Sequence, residues 1–260
     1  MQALLNTAVK AAHAAGDIVM RYSRRVHQLD VRSKARNEFV SQVDIMAEDV
    51  IVETIRERYP EHAILGEEGG QQGEHDTVWI IDPLDGTTNY LHGMPMFAVS
   101  IGVQVKGRME AGVVYDPSRQ ELFTAVRGSG AQLDDRKLRM DRKKELDGAL
   151  IGTGFPYREN DRWMDAYLDQ FRAVMQVASD CRRPGSAALD LCYVAAGRLD
   201  GFWEFGLQPW DFAAGALIVR EAGGIVSSLT DDGDYMETGN LIAGPLKLHS
   251  ELEQLLKQHL

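Results

Sequence analysis

The stretch Val78-Trp79-Ile80-Ile81-Asp82-Pro83-Leu84-Asp85-Gly86-Thr87-Thr88 begins apolar and ends in acids, glycine and hydroxyls. Its four leading apolar residues predict a buried strand. Asp82 and Asp85 then fall at the strand's end, where a sheet edge leaves room for an open site. Pro83 fixes φ and lacks an N–H, so a sharp turn is expected between the two aspartates. Such a turn aims both carboxylates and the Leu84 carbonyl at neighbouring points. Magnesium takes an all-oxygen set of this kind together with water and phosphate oxygens. Gly86 lets the backbone approach a ligand, and the amides of Gly86 and Thr87 can face a phosphate if a short helix starts there. The plainer alternative is an Asp-Pro turn before a loop, since Asp-Gly is common in turns.

Upstream, Gly66-Glu67-Glu68-Gly69-Gly70 follows the apolar run 63–65; its glutamates are either surface residues or ligands. Downstream, Asp211 precedes Phe212-Ala213-Ala214-Gly215 and reads as a helix N-cap that could also reach a metal. Helical spacing predicts helices over 3–22 and 44–59, the second capped by Ser41 and stopped by Pro60. Strands are expected at 97–105 and 109–115, joined at Lys106-Gly107-Arg108, with 121–126 completing a meander. From residue 149 strands alternate with helices at 163–177, 187–196 and 212–221, which suggests a more parallel, layered arrangement. The chain is therefore read as two halves, 1–145 carrying an antiparallel sheet and the main acidic motifs, and 146–260 of α/β type, sharing one core with the site between them. Trp79, Trp203 and Trp210 are expected in that core.

The 260 residues carry a formal net charge of −11, which disfavours direct strong binding to DNA and means that a phosphate site needs local cations. No apolar stretch approaches the ~20 residues of a membrane helix, and no signal peptide is read at the N-terminus, so a cytoplasmic protein is expected. Cys181 and Cys192 form no C-x-x-C pair and are expected as small buried side chains. The basic stretches 24–36 and 136–144 are read as solvated surface. His92 is read as a surface or packing histidine.

The order G-E-E, then D-P-L-D-G-T-T-N, then P-W-D-x-A-A-G resembles the inositol monophosphatase family, carried by 66–68, 82–89 and 209–215. The stretches T-G-F-P-Y, L-D-L-C-Y-V-A-A-G-R and W-E-F-G are similar to its bacterial SuhB-type branch, and the likeness runs to about residue 246. The resemblance implies the layered α-β-α-β-α sandwich of the sugar phosphatase superfamily, an α+β or α/β fold. It implies magnesium-dependent hydrolysis of inositol monophosphate by a metal-activated water, with two or three ions per site and sensitivity to lithium. Glu67, Asp82 and the Leu84 carbonyl would hold one ion, Asp82, Asp85 and Asp211 a second, and a third would sit near Glu67. Glu67 and Thr87 would position the attacking water, with Asp44 accepting a hydrogen bond from Thr87. Gly86 and Thr87 would bind phosphate, while Asp85, Gly185, Ala187, Glu204 and Asp211 would meet the alcohol. Fructose-1,6-bisphosphate or a nucleotide 3′-phosphate is the alternative substrate.

No covalent phosphoenzyme is expected, because no motif activates Ser186 or Cys192. Arg182 and Arg183 match a region near the family's dimer interface, or are a structural pair. The resemblance further implies a homodimer and association with RNA polymerase in antitermination. Departures from the family pattern fall at 157–162 and 231–235, away from these positions.

Overall fold

The computed structural model describes residues 1–28, 31–35, 38–141, 144–156 and 162–260, with the side chains of 27–40 left out. Arg36, Arg142, Lys143 and the stretch 157–161 therefore lie outside the described residues, as do the side chains of Arg32 and Lys34.

Helix α1 (Gln2–Tyr22) buries Ala8, Ala11, Ala12, Ala15 and Val19, and this stripe of small residues packs against α2 (Gln42–Arg56). A hairpin of β1 (Val31–Ala35) and β2 (Glu38–Ser41) leads into α2. The expected cap holds: the Ser41 hydroxyl accepts from Val43 N, and Asp44 accepts from Ser41 N at 2.9 Å. Ile45, placed on the apolar face by spacing, is instead exposed.

An eight-stranded sheet follows: β3 (Ala63–Gly66), β4 (Gly70–Gln72), β5 (Thr77–Asp85), β6 (Ala98–Val105), β7 (Arg108–Asp116), β8 (Glu121–Val126), β9 (Gly130–Leu133) and β10 (Arg136–Lys137). Its order is β10-β9-β8-β7-β6-β5-β3-β4, antiparallel except between β3 and β5. The expected meander is β6-β7-β8. After β5 comes the one-turn helix α3 (Thr87–Leu91).

The second sheet contains β11 (Leu150–Thr153), β12 (Asp180–Arg182), β13 (Gly201–Glu204), β14 (Ile225–Ser228) and β15 (Leu241–Gly244), in the order β12-β11-β13-β15-β14. Its strands are parallel only across β12-β11-β13; β15 runs antiparallel to both neighbours. The parallel expectation thus holds for half of this sheet. Helix α4 (Met164–Met175) returns the chain from β11 to β12, and α5 (Ala187–Ala195) from β12 to β13, whereas only the single turn α7 (Tyr235–Thr238) separates β14 from β15.

Three buried clusters define five layers. Helices α1 and α2 cover one face of the large sheet. Helix α5 and α6 (Pro209–Glu221) fill the space between the sheets, with Val114 and Phe123 on one side and Phe202 and Ala243 on the other. Helix α4 and α8 (Leu246–Lys257) close the outer face of the small sheet around Trp203. This is the α-β-α-β-α sandwich. Trp79 and Trp203 are fully buried as expected, but Trp210 is only half-buried at the start of α6, and Met175 at the end of α4 faces solvent.

Candidate active site

Asp82 and Asp85 are both buried, but no sharp turn separates them. Strand β5 runs on through both, and its register against β6 slips by one residue, with Asp82 opposite Ser100 and Asp85 opposite Ala98. Pro83 sits in this bulge, which accommodates its missing N–H without ending the strand. Within the bulge Asp82 Oδ1 accepts from Leu84 N at 2.9 Å. Gly86 then turns the chain at φ 91°, and a Cβ there would stand 2.7 Å from the Met96 carbonyl oxygen. Glycine is required at this position, and α3 starts immediately after it.

Thr87 donates to Asp44 Oδ1 and to the Leu84 carbonyl, each at 3.0 Å, so one hydroxyl proton serves two acceptors. Burial holds the Asp44 carboxyl above its usual range, against the lowering effect of bonds from Ser41 and Thr87. Asp85 Oδ2 accepts from the Ser186 hydroxyl at 2.5 Å and from Ala188 N at 2.9 Å, tying β5 to the start of α5. Ser186 is thereby a cap and an anchor. Asp211 is not the N-cap of α6. Gln208 takes that place, Pro209 occupies the first turn, and Asp211 reaches back to accept from Gln208 N at 2.7 Å.

One cleft of about 500 Å³ gathers Glu67, Asp82, Leu84, Asp85, Gly86 and Thr87 from the first half of the chain with Gly185, Ala187, Glu204 and Asp211 from the second. Asp44 stands behind Thr87, outside the lining. Arg183 lines the cleft with its guanidinium 5.0 Å from the Phe155 ring centroid, while Arg182 lies on the edge strand β12, paired with Asp180 at 2.5 Å. His92 is exposed, Cys192 is buried and Cys181 is only half-buried, short of the burial expected for it.

Three residues to which the motifs assign no role also shape the site. Glu48 on α2 is buried, and its carboxylate accepts from Glu68 N at 2.9 Å and Gly69 N at 2.7 Å, which holds the turn that presents Glu67. Asn89 donates to the Met96 and Pro184 carbonyls, both at 2.8 Å, and so joins the segments on either side of the cleft. Asp190 on α5 is a buried carboxylate lining the cleft. A lone acid inside the apolar run Ala187–Ala195 is the signal that marks it.

Among the described residues no three His, Cys, Asp or Glu side chains stand together closely enough to hold an ion by themselves. The four carboxylates share a cleft but repel one another, and at least three of them are engaged by local donors. The donor set nonetheless fits a hard divalent cation. Burial, then the charges of Glu67, Asp85 and Asp211, push the Asp82 carboxyl well above its usual range. That is a concentration of negative charge which a cation, water and phosphate oxygens would balance.

A five-layer sandwich with a cleft that gathers carboxylates at a bulged strand end is the arrangement of a phosphatase whose acidic donors fit a hard divalent cation. The sequence profile of the inositol monophosphatase family matches residues 1–260, and the chain belongs to that family. It is 51% identical over 265 residues to the protein named Nus factor SuhB of Pseudomonas aeruginosa, covering 100% of this chain and 98% of that one. The crystal structure of suhB from Bartonella henselae superposes with a TM-score of 0.95 at 45% identity, over 99% of this chain and 100% of the other. The inositol-monophosphate-bound SaIMPase-II superposes at 0.82 with 31% identity, over 98% and 95%.

Proposed function

We propose that this chain hydrolyses the phosphate monoester of a small polyol, an inositol monophosphate, with magnesium as cofactor. The observation that carries the reading is the convergence of Glu67, Asp82, Asp85 and Asp211 in one cleft beside Gly86 and Thr87. A relative whose solved form binds inositol monophosphate supports the choice of substrate. Glu67, Asp82, the Leu84 carbonyl, Asp85 and Asp211 would hold the metal. Bound there, magnesium supplies positive charge to the phosphate and lowers the pKa of a water.

The chain's own residues do the rest. The Thr87 proton is shared between Asp44 and the Leu84 carbonyl; once that carbonyl is engaged, the proton goes to Asp44. The Thr87 oxygen is then left to accept a hydrogen from the attacking water, together with Glu67. The amides of Gly86 and Thr87 orient the phosphate. Gly185, Ala187, Glu204 and Asp211 meet the alcohol.

A panel of phosphate esters in magnesium, including fructose-1,6-bisphosphate and a nucleotide 3′-phosphate, tests the assignment. Turnover should be highest on inositol monophosphate, vanish with chelator and fall with lithium. Asp85→Asn should lower kcat about a thousandfold, roughly 4 kcal/mol, while keeping the melting temperature in chelator. Wild-type rates in the variant would overturn the site.

We extend the reading to a transcription role, because relatives about half identical over nearly the whole chain carry the name Nus factor. A net charge of −11 suits a protein partner over a nucleic-acid backbone. RNA polymerase should be captured equally by wild type and Asp85→Asn; no capture by either would refute this role.

A further inference from the structure

Phe155 follows β11 and, at 45% exposure, is the one aromatic ring among the exposed large apolar side chains of the described residues. It lines the cleft beside Arg183, Asp190 and Glu204. The ring is held in place: it meets Tyr167 edge-on at 5.7 Å and 89°, and carries the Arg183 guanidinium 5.0 Å from its centroid. The preceding residue, Gly154, leaves room for Glu204, since a Cβ there would fall 1.9 Å from Glu204 Oε1. The carboxylate therefore rests against the backbone that presents the ring, and the two form one mixed surface. Asp190 adds a buried acid to the same lining, and its Oδ1 has no hydrogen-bond partner among the described residues.

An open aromatic ring among carboxylates stays hydrated at a cost unless something apolar covers it. A cyclic polyol answers both features. Its rim of hydroxyls donates to carboxylates, and its C–H face is apolar and flat enough to lie on a ring. An open-chain polyol lacks that continuous face, and a nucleoside carries its hydroxyls on the ribose, apart from its flat base.

We propose that Phe155 is the specificity-determining residue of the cleft, stacking on the C–H face of a ring-shaped alcohol whose hydroxyls go to Glu204. The proposal rests on the phosphatase reading above. It is tested with the full chain in magnesium, by comparing kcat/KM for myo-inositol 1-phosphate, glycerol 2-phosphate and adenosine 3′-phosphate in wild type, Phe155→Ala and Phe155→Tyr. Wild type should prefer the inositol ester. Phe155→Ala should lower the inositol-to-glycerol ratio roughly tenfold, mainly through KM, and Phe155→Tyr should restore it. An unchanged ratio in Phe155→Ala, or a Tyr variant as poor as the Ala variant, overturns the stacking role while leaving the phosphatase reading intact. A larger loss on the nucleotide than on the inositol ester overturns the choice of ring. Wild-type turnover of none of the three esters removes the phosphatase reading and this inference with it.

Discussion

Gly86 and Gly154 both line the cleft, and they are glycine for different reasons. At Gly86 the backbone is left-handed, φ 91°, and an added Cβ would meet main-chain atoms: Met96 O at 2.7 Å, Gly185 O at 3.3 Å and Phe97 Cα at 3.3 Å. At Gly154 the three nearest neighbours of an added Cβ, at 1.9, 2.0 and 2.3 Å, all belong to one side chain, the Glu204 carboxyl group. The acid-bearing end of β5 is thus locked by backbone that cannot give way. The surface proposed to face the alcohol is, at Gly154, set by a side chain that can. A fold built this way keeps its chemistry fixed while the shape of the substrate pocket is free to vary.

The harshest test of that contrast is Gly86→Ala. It combines left-handed strain with a backbone clash, a loss of about 3 kcal/mol or more. Calorimetry should show a melting temperature lower by about 6–10 °C, and turnover should be lost. A variant that melts normally would show that the strand end is not locked. Asn89→Ala comes next. It removes both bonds between α3 and the carbonyls of Met96 and Pro184, at about 2 kcal/mol. Because Asn89 joins the two parts of the cleft, beside the bonds from Ser186 and Ala188 to Asp85, its loss should lower stability and also raise KM. A purely thermal effect, with KM unchanged, would mean that the alcohol-facing surface keeps its place without the tie.

How much of this could be read beforehand follows the same division. The acidic strand end was legible because its parts are contiguous: an apolar run, two aspartates around a proline, then glycine and a short helix. The Ser41 cap and the alanine stripe of α1 were legible for the same local reason. What was missed depends on partners far along the chain. Whether Pro83 ends β5 or sits inside it is decided by the register of β6. Glu48 looks like any helix acid until the amides of residues 68 and 69 fold over it, 20 and 21 positions away. Asp211 read as a cap because Gln208 is a weaker cap signal than an aspartate, yet Pro209 sets the helix start. The direction of β15 depends on strand order, which periodicity does not carry.

Gly154→Ala is the mildest substitution and the most telling. The added methyl displaces a flexible carboxylate and not the main chain, so the melting temperature should move by no more than about 2 °C. The effect should appear in binding: with Glu204 pushed from its seat, KM for the inositol ester should rise about fivefold, near 1 kcal/mol, more than kcat falls. A mutant cycle fixes the cause. In a Glu204→Ala background the space beside residue 154 is already empty, and Gly154→Ala should then add almost nothing to KM. If the two effects add in full, the methyl acts on something other than Glu204, and the alcohol-facing part of the cleft is as much a matter of backbone as the acidic part.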